Sequence, residues 1–233
     1  MSKQIAILLD PDKTPIAELQ PLALKINDAK PDYILIGGSS VNGSIDDFVL
    51  YLKHLTDIPL YLFPGDITQF TPHADGILYL SLISGRNPDF LIGKQVTSAL
   101  AIKHSNLKII PTGYILIDGG IVSATQQVSN TTPLRRDDIS QIVSTAAAAE
   151  LLGMKAVYLE AGSGAKIPVS SEVISAVRSE ISAKLIVGGG ISTTEQLRVA
   201  LDAGADIVVV GNHFEKRPDE IGDFCRFVHN YNK

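Results

Sequence analysis

Tyr158-Leu-Glu-Ala-Gly-Ser-Gly164, Gly188-Gly-Gly-Ile191 and Gly211-Asn212 each follow a short β-branched run, about one strand-helix unit apart. A glycine just past a strand lets backbone N–H groups approach an anion closely, and the next helix adds its positive N-terminal end. One such turn is equally an ordinary helix cap. Three in series read as a phosphate cradle, with Ser163, Gly164, Gly189, Gly190, Gly211 and Asn212 supplying N–H and hydroxyl donors. Tyr158 and Glu160 lie two apart in one strand, so their side chains face the same way. Glu160 leads straight into the phosphate turn and is a candidate general base; the competing reading is a buried glutamate paired with a cation. Asp10 ends the first apolar run and Ser39 follows the second. One carboxylate and one hydroxyl suit Mg²⁺, because waters and substrate phosphates complete its octahedron. A strand-ending turn at Asp10-Pro11 and a helix cap at Ser39 are the competing readings, and Asp12 is an alternative ligand.

The elements that must position these groups alternate along the chain. Strand-like runs occupy 5–9, 33–36, 59–62, 77–80, 107–110, 155–159, 184–187 and 206–210. Helix-period segments at 15–29, 44–55, 88–103, 137–152, 170–181, 193–203 and 217–230 separate most of them. Buried strands alternating with helices imply a parallel sheet, and eight units in this length imply closure into a single (β/α)8 barrel, residues 1–233. The active ends of such barrels commonly hold phosphates after their last strands. Two connections break the rhythm. Residues 63–76 carry Pro64, Gly65, Pro72 and Gly76, too short and broken for a barrel helix, so the helical ring should have a gap there. Residues 111–136 read as a long Gly-, Thr- and Ser-rich lid.

The 233 residues carry a formal charge of −5, and no Lys/Arg run exceeds two residues, so a nucleic-acid or anionic-membrane surface has no electrostatic support. Cys225 is the only cysteine and the five histidines show no ligand spacing with it, which argues against zinc. No run approaches the ~20 apolar residues of a membrane span, and no signal peptide is expected. The expectation is a cytoplasmic homo-oligomer with at most peripheral membrane contact.

Leu8-Leu-Asp-Pro-Asp-Lys13, Ile36-Gly-Gly-Ser-Ser40, Phe63-Pro-Gly65, Tyr158-Leu-Glu-Ala-Gly-Ser-Gly164, Val187-Gly-Gly-Gly-Ile191 and Val210-Gly-Asn212 fall in the order and spacing of the geranylgeranylglyceryl phosphate synthase family. The chain resembles that family from first strand to last. The resemblance implies a (β/α)8 barrel that joins an isoprenyl diphosphate to sn-glycerol 1-phosphate with Mg²⁺, releasing pyrophosphate. It implies glycerol 1-phosphate binding by Tyr158, Leu159, Glu160, Ala161, Gly162, Ser163 and Gly164 with Gly189, Gly190, Gly211 and Asn212, catalysis by Glu160 and Tyr158, and metal binding by Asp10 and Ser39. The related heptaprenylglyceryl branch has a lysine two residues before the first-strand aspartate, where this chain has Leu8, so geranylgeranyl diphosphate is the expected donor. Lys13 and the Arg135-Arg136 pair are candidate helpers for the leaving pyrophosphate, although Asp137-Asp138 beside the arginines favours exposed pairing. Phe63, Phe70 and Tyr79 could line a prenyl trough at the helix gap, or be plain core. Heptaprenyl transfer, a sugar-phosphate isomerase or lyase, and a non-catalytic phosphate-binding barrel remain alternatives.

Overall fold

The structure, a computed structural model, describes residues 2–38 and 43–232, with only the backbone of Ile67. Eight parallel strands, β1 (Gln4–Leu9), β2 (Tyr33–Ile36), β3 (Leu60–Leu62), β4 (Gly76–Leu82), β5 (Lys108–Leu116), β6 (Ala156–Glu160), β7 (Lys184–Gly188) and β8 (Ile207–Val210), pair in sequence order and close into a barrel. Around them lie α1 (Ile16–Ala29), α2 (Ile45–Leu55), α3 (Lys94–Lys103), α4 (Ala124–Ser129), α5 (Ile139–Leu151), α6 (Ser171–Glu180), α7 (Thr194–Asp202), α8 (Asn212–Lys216) and α9 (Ile221–Tyr231).

Strand alternation divides the core in two. Ala6, Leu35, Tyr61, Leu78, Tyr114, Tyr158, Ile186 and Val209 fill the barrel interior. Their neighbours in sequence, such as Ile5, Ile7, Ile34, Leu159 and Val208, face outward and pack under the helices. At the N-terminal end of the barrel a repeated device fixes the strands. Asp32, Asp75 and Asp206 each stand just before a strand, and their carboxylates accept the backbone N–H of Ile5, Leu60 and Leu185 on the preceding strand at 2.9, 2.8 and 2.9 Å. Each aspartate also donates its own N–H to the carbonyl of that same residue, so the pairs are clamped twice.

The expected gap in the ring is present. Between β3 and β4 the chain makes only a single 3₁₀ turn, Ile67–Gln69, flanked by Pro64 and Pro72. After β4 a π-turn, Asp89–Gly93, runs into α3, which packs against both that 3₁₀ turn and β4. The expected lid is corrected. Residues 111–116 continue β5, which pairs with β4 from Gly76↔Lys108 to Leu82↔Tyr114. Pro111 and Gly113 read as a turn, but a Cβ at Gly113 would stand 2.7 Å from Ala149 Cβ, so the glycine is there for close helix-strand packing. The remaining segment folds back on itself, with Leu134 N–H donating to Leu116 O and Asp118 N–H to Leu134 O, and it contains α4.

Asp206→Ala removes the partner of the buried Leu185 N–H and of Arg178. Such a loss should lower stability by about 1–3 kcal/mol, read as a reduced urea midpoint with an unchanged native circular dichroism spectrum.

Candidate active site

Three glycine turns meet at the C-terminal end of the barrel. Ser163 and Gly164 after β6, Gly189 and Gly190 after β7, and Gly211 and Asn212 after β8 all line one cleft of about 580 Å³. Ser163 Oγ donates to Asn212 Oδ1 at 2.6 Å, which ties the first turn to the third. Asn212 Nδ2 in turn donates to Glu215 Oε2 at 3.1 Å. Lys166 and Lys216 line the same end and bring positive charge to it; Lys166 stands two residues past the Gly-Ser-Gly turn, a position that could have flagged it.

Glu160 closes β6 and reaches the cleft although it is only 6% exposed. Its Oε1 accepts the Gly162 N–H at 2.7 Å. Burial raises its pKa from 4.5 to about 7, against the lowering pull of that N–H and of Tyr158. Gly189 makes the arrangement possible. Its φ is +83°, and a Cβ there would stand 2.3 Å from Glu160 Oε1, so only glycine lets the β7 turn wrap the carboxylate. The Tyr158 hydroxyl lies beside Glu160, is fully buried, and makes no well-formed hydrogen bond to any described group. Burial, reinforced by the Glu160 charge, raises its pKa well above the usual phenol range, so it stays protonated. Phe63 stacks on the Tyr158 ring with centroids 5.2 Å apart, and Tyr114 lies 5.4 Å from Tyr158.

Asp10 follows β1 and faces the cleft beside Lys13. Its Oδ1 accepts the Asp12 N–H at 3.1 Å, its Oδ2 is 3.3 Å from Lys13 Nζ, and Lys13 is equally close to Glu215. Burial raises the Asp10 pKa. The β2 loop presses on this carboxylate, since a Cβ at Gly38 would stand 2.8 Å from Asp10 Oδ1. Gln69, not anticipated from sequence, clasps that loop to the β3 loop. Its amide donates to Gly38 O at 2.8 Å and its carbonyl accepts the N–H groups of Gly38 and Gly65 at 3.3 and 3.1 Å. Ser39, the expected second metal ligand, lies outside the described residues. Among the described residues no three His, Cys, Asp or Glu side chains gather into a metal site of their own. An exposed-edge carboxylate held by one lysine and one N–H fits a Mg²⁺ whose remaining ligands are phosphate and water.

From the mouth the cleft continues outside the barrel wall, into the space left by the missing helix. Phe70, Ile77, Tyr79, Phe90 and Ile102 line this apolar trough between β4 and α3. Ile77 and Tyr79 point there because they are the outward members of β4, alternating with Leu78 in the interior. Tyr79 Oη donates to Gln95 O at 2.7 Å, which pins α3 across the trough.

The structure sets several of the expected residues back from the open cleft. Tyr158 does not line the cleft: it sits one layer deeper in the barrel, beneath Phe63, and reaches the site only through Glu160. Leu159 and Ala161 face the opposite side of β6 and pack under the helices, as alternation requires. Gly162 serves the site by its N–H to Glu160 rather than by lining the cleft. Arg135 and Arg136 lie outside the cleft; Arg135 forms an exposed bidentate pair with Asp137 at 3.0 and 2.6 Å, and Arg136 leans towards Pro168 O.

Fold and site together define a phosphate-binding (β/α)8 barrel with an apolar trough leading away from its phosphate end. The chain belongs to the PcrB family, which residues 2–226 match. It is 49% identical over 228 residues to a geranylgeranylglyceryl phosphate synthase of Chitinophaga pinensis, covering 97% of this chain and 90% of that one. A namesake from Korarchaeum cryptofilum is 39% identical over 218 residues, covering 93% and 89%. Among solved structures, the (S)-3-O-geranylgeranylglyceryl phosphate synthase of Thermoplasma acidophilum, in complex with sn-glycerol 1-phosphate, superposes with a TM-score of 0.92 at 30% identity, over 98% of this chain and 94% of that one.

The raised pKa of Glu160 has a stability consequence. The folded chain holds this proton more tightly than the unfolded one, so folding is favoured below pH 4.5 and that advantage is lost as pH rises to about 7. Glu160→Gln should therefore gain on wild type by up to about 3 kcal/mol at pH 8, with the gain vanishing near pH 4.5. Urea midpoints at the two pH values measure it; a variant less stable at pH 8 would contradict the buried-acid assignment.

Proposed function

We propose that this chain is a prenyltransferase of the cytoplasm that joins an isoprenyl diphosphate, geranylgeranyl diphosphate by preference, to sn-glycerol 1-phosphate. The product is an ether-linked prenylglyceryl phosphate, and pyrophosphate leaves. One observation carries this reading: a buried carboxylate, Glu160, stands where a glycine-lined phosphate end and an apolar trough join in one cleft. The names of the relatives and the sn-glycerol 1-phosphate bound by the Thermoplasma protein point the same way.

The chemistry follows from the placement. The glycine turns hold the phosphate of glycerol 1-phosphate and bring its free primary hydroxyl to Glu160. A new C–O bond forms between that oxygen and the allylic carbon as the carbon-diphosphate bond breaks, and Glu160 takes the hydroxyl proton. A carboxylate of pKa about 7 is a competent base near neutral pH. Tyr158, which keeps its own proton, faces Glu160 from below. Lys13 places positive charge beside Asp10 where the diphosphate would sit. Mg²⁺ bound by Asp10, with Ser39 as the second expected ligand, would supply Lewis-acid neutralisation of the leaving pyrophosphate.

Purified protein incubated with labelled glycerol 1-phosphate, Mg²⁺ and a series of prenyl diphosphates tests the reading directly. Label should move into the organic phase, most with the C20 donor; no transfer with any donor would overturn the assignment. Asp10→Asn should cut turnover by about 100-fold or more and raise the half-saturating Mg²⁺ concentration, since a neutral amide is a poor ligand for a hard cation. Normal kinetics in that variant would remove Asp10 from the site.

Donor length should be set in the trough. An isoprene unit adds five carbons, and at ~0.8 kcal/mol per buried CH₂ each unit contributes several kcal/mol if it finds room. Trimming Tyr79 or Phe70 to alanine should move the donor optimum to longer chains with an unchanged KM for glycerol 1-phosphate; Phe63, expected beside them, stacks on Tyr158 inside the barrel instead. An unaltered profile in both variants would place the tail elsewhere.

A further inference from the structure

The helix that walls the trough carries apolar residues on its outer side. On α3, Lys94, Gln95 and Ser98 turn towards the cleft with the buried Ile102, and the Gln95 amide donates to Leu80 O across it. The other large apolar residues face solvent: Ile92, at the end of the preceding π-turn, Val96 and Leu100 are 60, 67 and 69% exposed. They are spaced by four, so they form one stripe along the helix, and Ile109 on the adjoining β5 is exposed as well. An amphipathic helix on a globular protein normally presents the reverse arrangement.

Charge on the same side of the barrel departs from that of the whole chain. Between residues 76 and 110 the charged side chains are Arg86, Lys94, Lys103 and Lys108 against Asp89, in a chain whose net charge is −5. Lys94 is committed to Asp66, whereas Arg86, Lys103 and Lys108 are exposed, with His104 between the last two. An exposed apolar stripe in a segment with an excess of exposed cations is the composition of a helix lying in the interface of an anionic bilayer. Its inner side already borders the apolar trough. Among the described residues no helix is long and apolar enough to cross a membrane, so contact of this kind would be peripheral.

We propose that the outer face of α3, with Ile92, Val96 and Leu100, docks on an anionic lipid surface and that the trough opens into that surface, so that the prenyl tail passes between bilayer and active site without crossing water. The tail's route rests on the prenyltransferase reading above; the docking itself can be measured without any donor.

Vesicles of phosphatidylcholine with about 30 mol % phosphatidylglycerol should pellet the wild-type protein, and the double variant Val96→Glu/Leu100→Glu should bind them about tenfold or more weakly. The neutral variant Val96→Gln/Leu100→Gln should also lose binding, but less. Both variants should match wild type with donor dispersed in detergent and fall behind it with donor carried in vesicles. Wild type that does not pellet, or variants that pellet equally well, would overturn the proposal. So would light scattering in which the substitutions lower the oligomeric mass, because the stripe would then be a contact between copies. Vesicle binding lost as expected, with no transfer from detergent-dispersed donor even in wild type, would uphold docking and sink the prenyltransferase reading instead.

Discussion

Closure of the parallel sheet is the constraint from which the rest follows. β8 returns to β1 in the register Gln4↔Ile207 to Ile7↔Val210, and once that ladder is made no strand can shift by one residue without moving its whole interior set to the outside. Each strand then has one fixed inward set and one fixed outward set. On β6 this sends Tyr158 and Glu160 inward and Leu159 outward; on β4 it sends Leu78 inward and Ile77 and Tyr79 outward. The base at the mouth and the trough outside the wall are therefore products of one register. The three aspartate clamps at the opposite end hold that register without touching the site, in keeping with the division of (β/α)8 barrels into a stability face and a chemical face.

Holding a carboxylate at the mouth opposes stability. Burial of Glu160 favours its neutral form, and the Gly162 N–H with the neighbouring Tyr158 hydroxyl offsets only part of that cost, which is why the pKa settles near 7 rather than returning to 4.5. Further hydrogen bonds would make the residue a more stable anion and a weaker base. The unsatisfied Tyr158 hydroxyl belongs to the same compromise, since it is confined by Phe63 and Tyr114 to a place beside Glu160 without forming a good bond to it. Sites that store unfavourable electrostatics of this kind are commonly sites of function.

Much of this was legible in the sequence because barrels are written in short, repeated signals. Short apolar runs, with helix-period segments between most of them, located all eight strands, and Pro64 and Pro72 announced the gap in the ring. What misled was local. Pro111-Thr-Gly113 has the composition of a turn, yet it lies within β5 because Ala149 and Met154 crowd the position where a Cβ would go. The arginines did not mislead, since the acidic residues beside them already favoured the exposed Arg135–Asp137 pair that forms. Gln69 could not be found at all from spacing. Its value lies in clasping Gly38 and Gly65, residues on two different loops that only closure of β2 against β3 brings together. Tyr158 shows the limit of period-two reasoning, which gives the side a residue faces but not its depth.

The cleft has the polarity of an amphipathic molecule laid along it. At one end stand backbone turns, Ser163, Asn212, Lys166 and Lys216; at the other stand Phe70, Ile77, Tyr79 and Ile102. Neither end alone would be informative, because glycine turns serve many phosphates and apolar grooves many ligands. Their join is more restrictive. A small phosphate would leave the trough wet, and a simple hydrocarbon would leave the cradle empty, so the arrangement suits a reaction that brings the two kinds of group together. Glu160 and Asp10 occupy that join, each with its pKa raised by burial, which is the arrangement behind their proposed roles as proton acceptor and as holder of charge near a departing phosphate. The missing helix matters to this join: a full ring would cover Tyr79 and close the apolar side of the cleft, leaving the carboxylates a pocket suited only to the polar partner.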